Sequence, residues 1–288
     1  MQEAIVPIFY AIVTAACFGG QLVMTMRSFA YVDPQASSMI SIGTCATIFW
    51  LLSPFLLKAE YFTNPGMWVF FANGLIHPLF SLYLAFEASK RMGSTVSATI
   101  AAIAPLFATF GAVLVLGEHI TLIFFMGTIC TVLGIMILSW KRQSHFNWAL
   151  PALVFPLGAA VIRGANHNIA KFGLQLLPSP YFAGLVSFTV SSVAAIMIYR
   201  FRSGSLPTRL PTRSVMWSGL AGMSIAMGVL SMYSALHYGR VVVVSPIIAT
   251  FPLFTLLINL LFRQEQFRLS ILIGVVMVVG GVIWISIQ

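Results

Sequence analysis

The chain has 288 residues, 59% of them hydrophobic and only 7% charged, and carries a formal net charge of +9 at neutral pH. A soluble domain has about 25% charged residues, so this sequence lacks the charge to coat a water-soluble globule and reads as an integral membrane protein. Its Lys and Arg residues fall in short stretches between apolar runs, which is the pattern of cytoplasmic loops and not of a nucleic-acid-binding face.

A hydrocarbon core needs roughly 20 apolar residues per helical span. Ten stretches qualify, at about 4–26, 35–57, 67–89, 94–117, 120–140, 147–170, 180–200, 214–237, 241–262 and 269–287. No long strand-like alternation is present, so a barrel is not expected. The opening MQEAIVPIFYAIVTAACFGG has no positive leader and too long an apolar run for a signal peptide, so it reads as span one. Gln21 follows Gly19-Gly20 there as a polar candidate.

Span three carries His77-Pro78, with Ser81 one turn later and Glu87 near its end. A mid-span histidine is a candidate ligand or proton carrier, because it titrates near neutrality. Glu87 is a second candidate proton carrier, although Arg91 stands four residues on in the favoured pairing order. Tyr83, Phe86, Trp217 and Tyr233 are candidates for an aromatic wall.

Span four contains Pro105 near its centre, in ATIAAIAPLFATFGAVLVLGEH, and span nine contains Pro252, in VVVVSPIIATFPLFTLLINLL. Proline removes a helix hydrogen bond and clashes with the preceding turn. Two midplane prolines in matched places are expected to bend a pair of helices that rock to open alternate sides. Span five (GTICTVLGIMIL) and span ten (GVVMVVGGVIWI) bring small residues that suit helix packing or dimerisation.

Span six holds the most unusual text, VIRGANHNIAKFG. A charge at the bilayer centre costs roughly 2.5–3.5 kcal/mol on insertion scales. Arg163 is therefore expected to face the protein interior, with His167 four residues on along the same face, Lys171 continuing the stripe and Asn166 beside it. Such a face suits a carboxylate or phosphate, which Arg can bind through two hydrogen bonds. Gln21, His77, Ser81 and Tyr233 complete the expected substrate-binding set.

The prolines belong to a larger pattern. Pro252, Leu253 and Phe254 follow Pro105, Leu106 and Phe107 at a spacing of 147, and so do Glu265 after Glu118, Gly274 after Gly127 and Gly281 after Gly134. This is an internal repeat, dividing the chain into residues 1–143 and 144–288. Five spans per repeat is an odd number, so the second copy enters the membrane from the opposite side. The expected fold is all-α: ten transmembrane helices as two inverted five-helix repeats around a central cavity.

The P-L-F phrase, the acidic residue after it and the glycine-rich closing span, each present twice, resemble the drug/metabolite transporter superfamily of the EamA type. The resemblance implies a ten-helix transporter whose central cavity is lined by both halves. Span one departs from the Trp-Gly-Ser-like phrase common in that family, having Phe18-Gly19-Gly20 instead.

Eleven Lys and Arg residues (27, 90, 91, 141, 142, 200, 202, 209, 213, 263 and 268) fall on one side and three (58, 171 and 240) on the other. The positive-inside rule places the eleven in the cytoplasm and both termini outside. The three cysteines, Cys17, Cys45 and Cys130, read as small apolar fillers. No metal or cofactor is expected. With one Asp, five Glu and no nucleotide-binding or hydrolase motif, catalysis is not expected either. The sequence reads as a secondary transporter in a bacterial-type inner membrane, moving a small organic metabolite, with an amino acid or other carboxylate favoured. The alternatives are an exporter or exchanger of organic cations or drugs, or a channel-like facilitator. The expected partners are that substrate and the bilayer, in a monomer or homodimer.

Overall fold

The computed structural model describes residues 2–92, 97, 100–139, 150–205, 207, 210–262 and 269–286. Among the described residues regular structure is wholly helical. The main helices are α1 (Gln2–Ser28), α2 (Pro34–Leu51), α3 (Gly66–Ile76), α4 (Leu79–Met92), α5 (Ala104–Leu116), α6 (Leu122–Ser139), α7 (Val154–Leu176), α8 (Pro180–Ser203), α9 (Thr212–Tyr238), α10 (Val241–Ile248), α11 (Phe251–Leu261) and α12 (Leu269–Ser286). Their ends follow local chemistry. Asp33 caps α2 by accepting from the N–H groups of Gln35 and Ala36, both at 3.0 Å, and Pro34 opens the helix. Gly117 ends α5 with φ +66°, a conformation that costs a glycine nothing.

Five segments are long and apolar enough to cross a membrane: Ile5–Ser28, Pro180–Arg202, Thr212–Tyr238, Val241–Leu261 and Leu269–Ser286. Four of the other expected spans fall short for visible reasons. Span three is divided at His77-Pro78 into α3 and α4. The apolar helices Ala104–Leu116 and Leu122–Leu138 are short, and α7 carries Arg163, Asn166, His167, Asn168 and Lys171. Large apolar side chains such as Leu114, Val115, Val276 and Trp284 point outward, as lipid contact requires.

The two prolines do not bend continuous helices, and that expectation is corrected. Each stands in the first turn of a new helix, Pro105 in α5 and Pro252 in α11, where a missing N–H costs least. The preceding turns are built alike. The Ile103 N–H donates to the Ile100 carbonyl and the Leu106 N–H to the Ile103 carbonyl; the Thr250 N–H donates to the Ile247 carbonyl and the Leu253 N–H to the Thr250 carbonyl. One tight turn absorbs the clash, and the helix restarts. The break in span three has no counterpart in α9, which runs unbroken.

Packing interlocks the two halves of the sequence. α1 packs on α9 and α11, whereas α7 packs on α3, α4 and α5. Glycines make both seams close. A Cβ at Gly19 would meet Phe251 O, Phe254 Cβ and Thr255 N within 2.9 Å, and one at Gly164 would meet Ala104 O, Phe107 Cβ and Ala108 N at 2.8 Å. These two sets of neighbours are the same positions, 147 apart. α6 and α12 pack antiparallel, with Gly127 against Gly281 and Gly134 against Gly274. These four glycines are thus used in packing within the chain.

Candidate functional site

Arg163 sits nine residues into the 23-residue α7, roughly 14 Å from its start at 1.5 Å per residue. Its side chain is enclosed by protein but remains partly accessible. Among the described residues it has no hydrogen bond and no carboxylate within ion-pair distance. His167 is buried on the same face, and its Nδ1 shares a hydrogen bond of 2.9 Å with Ser245 Oγ of α10. Asn166 is buried beside them, and no hydrogen bond ties its side chain among the described residues.

His77 ends α3, its N–H donating to the Asn73 carbonyl at 2.8 Å. It stands at the break in span three and is partly accessible. It lies close enough to Arg163 and His167 for their charges to act on it. The structure therefore gathers Arg163, His167 and His77, three basic groups from two spans, with no acidic side chain paired to any of them among the described residues. Such a cluster can hold an anion, with the Arg163 guanidinium as its charged donor.

Other expected members are placed elsewhere. The Tyr233 hydroxyl donates to Ser187 Oγ (3.1 Å) and accepts from Asn73 Nδ2 (3.2 Å), and the residue is 1% exposed. It is a buried strut between α9, α3 and α8, which corrects the expectation of a substrate contact. Ser81 donates to the Pro78 carbonyl at 3.0 Å and stiffens the break. Gln21 donates to Thr25 Oγ1 on its own helix at 2.9 Å, and α1 is not among the helices closely packed on α7. Glu87 accepts from Arg91 Nε at 3.2 Å, so its carboxylate is already paired. Trp217 faces the Arg27 guanidinium at 4.9 Å, not a ligand space. The side chains of Tyr83 and Phe86 lie outside the described residues, as does Glu265.

Two basic or acidic residues turn out to hold the frame. Lys171 Nζ donates to the carbonyls of Leu236 (2.7 Å) and Gly239 (2.8 Å), closing the C-terminus of α9, where a cation opposes the helix dipole. Glu118 accepts from the Val241 and Val242 N–H groups at 2.8 and 3.0 Å, capping α10. Sequence reasoning missed Asn168 and Ser245. Asn168 Nδ2 donates to the carbonyls of Ala108 (3.1 Å) and Gly164 (3.2 Å), tying α7 to α5. Its position four residues after Gly164, on the same seam, was the available signal. Ser245 precedes Pro246 in an apolar run, and nothing in the sequence pairs it with His167.

Comparisons with known proteins agree with this architecture. The family model described as the EamA-like transporter family matches residues 5–140 and again residues 150–287. An uncharacterized protein of Methanocaldococcus jannaschii is 25% identical over 137 residues, which are 48% of this chain and 97% of that protein. A solved crystal structure aligns over 100% of this chain and 97% of its own, with a TM-score of 0.82 at 15% identity.

Proposed function

The chain belongs to the EamA-like transporter family, and on that premise we propose that it is a secondary transporter of a small organic anion, with an amino acid or other carboxylate as substrate. It works by alternating access, as ten spans in two inverted five-helix units, residues 1–143 and 144–288, in a bacterial-type inner membrane. Both termini face outside, following the excess of Lys and Arg on the opposite side.

The observation that carries the substrate class is Arg163, a guanidinium partway along α7 with no partner among the described residues and two histidines beside it. A buried charge left unpaired is costly, and a bound carboxylate supplies the missing partner. The inverted arrangement is supported by the antiparallel packing of α6 on α12 and by the equivalent seams at Gly19 and Gly164. The double family match and a relative about half as long support a duplicated unit. The restarts at Pro105 and Pro252 leave two matched half-helices, α5 and α11, as the elements that swing. Transport requires that one seam loosen while the other holds.

The test is ligand-dependent melting of purified wild type and Arg163→Ala against amino acids, organic anions and amines. A ligand that binds only the folded state raises the melting temperature with concentration. Carboxylates are expected to stabilise wild type, and Arg163→Ala to lose that shift. Amines stabilising both proteins equally would overturn the reading. Trans-stimulated flux of the stabilising ligand separates a carrier from a channel.

A further inference from the structure

We propose that the lipid-facing groove between α2, α4 and α8 binds one anionic phospholipid from the arginine-rich leaflet. The groove has a volume of about 270 Å³. Gln35, Ser38, Tyr199 and Arg202 stand toward one end; Met39, Ile42, Leu79, Phe80, Ala195 and Ile198 line the rest. Gln35 opens α2 and Arg202 closes α8, so both lie at the same membrane surface. From Gln35 to Ile42, and from Arg202 back to Ala195, is seven residues, or about 10 Å of helix. Polarity therefore falls from the surface inward, ending at Leu79 and Phe80, where span three resumes below its break. A phospholipid has that same profile, with a charged head at the interface and an apolar tail beneath it.

The charges at the rim select the head group. Arg200 and Arg202 occupy the last turn of α8. The acidic neighbour, Asp33, is engaged with the first N–H groups of α2. A guanidinium presents a planar fork of donors that suits the geometry of a phosphate. Walls this apolar offer little to a small polar solute, and a soluble partner has no access at hydrocarbon depth. Anionic lipids concentrate in the cytoplasmic leaflet, the side to which the excess of Lys and Arg assigns this rim. The inference rests on the membrane-spanning fold and not on the substrate of Arg163.

The test uses the full chain, stripped of lipid in a neutral detergent and titrated with phosphatidylglycerol, phosphatidylcholine or glycerol 3-phosphate. Melting temperature and native mass spectrometry are the readouts. Phosphatidylglycerol is expected to stabilise saturably, with one lipid retained per chain. Arg202→Ala should weaken its apparent affinity about five-fold, the effect of one basic residue near an anionic surface. Ile198→Trp, which fills the groove from an exposed position, should abolish retention. Both variants are expected to melt with wild type when lipid-free, which separates loss of the site from loss of the fold. Equal effects of the two lipids, or wild-type retention by both variants, would overturn the proposal. Stabilisation by glycerol 3-phosphate equal to that by phosphatidylglycerol would overturn it too, because the groove would then be a site for free phosphate.

Discussion

Replacing Gly164 by alanine would put a methyl group 2.8 Å from Ala104 O, Phe107 Cβ and Ala108 N. None of these atoms is the end of a flexible side chain, so α5 and α7 must part. Reaching an ordinary contact of about 3.5 Å requires a shift of about 0.7 Å, and a gap of that size forfeits a quarter to a half of each dispersion contact along the seam. Overpacking of this kind costs about 1–3 kcal/mol. Better helix propensity returns up to about 1 kcal/mol, leaving a net loss of up to about 2 kcal/mol. Gly19→Ala should behave the same way, because its Cβ would lie 2.6 Å from Phe254 Cβ and 2.8 Å from Phe251 O. Gly219 and Gly280 are internal controls. A Cβ at either meets nothing within 4 Å, so alanine there should be neutral or stabilising by up to about 1 kcal/mol. Thermal unfolding midpoints of the four variants, in one detergent, decide the matter. If all four shift alike, the close seams at Gly19 and Gly164 do not hold these helices together.

Glu118→Ala removes two charge-assisted hydrogen bonds from the start of α10 and should cost about 1–3 kcal/mol; an unchanged unfolding midpoint would contradict the cap. Tyr233→Phe leaves Ser187 and Asn73 without their shared partner and should also cost about 1–3 kcal/mol. Its ligand-dependent shift should match wild type, whereas loss of that shift would return Tyr233 to the substrate site.

Composition alone decided that this chain lives in a bilayer, because 7% charged residues cannot solvate its surface. The 147-residue spacing was equally legible, since a repeat leaves its mark wherever packing tolerates only one residue type: Gly127, Gly134, Gly274 and Gly281 each stand where a Cβ would strike the facing helix. Arg163 stood out because a mid-span charge needs a reason. What those residues do to the backbone, and whom they meet, was not legible. A proline inside an apolar run fits a bend or a restart equally well, and only the hydrogen bonds around Ile103 and Thr250 distinguish the two. Lys171 shares the helical face of His167, yet its long stem carries the ammonium to carbonyls at the end of α9. Glu118 finds its partners more than a hundred residues further along. His77 reaches the neighbourhood of Arg163 because span three breaks and α7 packs across both of its pieces. Local pattern follows from chain chemistry, so it can be read one residue at a time. Partnership depends on which helix faces lie together once many apolar segments compete for the same interior, and only the packed structure decides that.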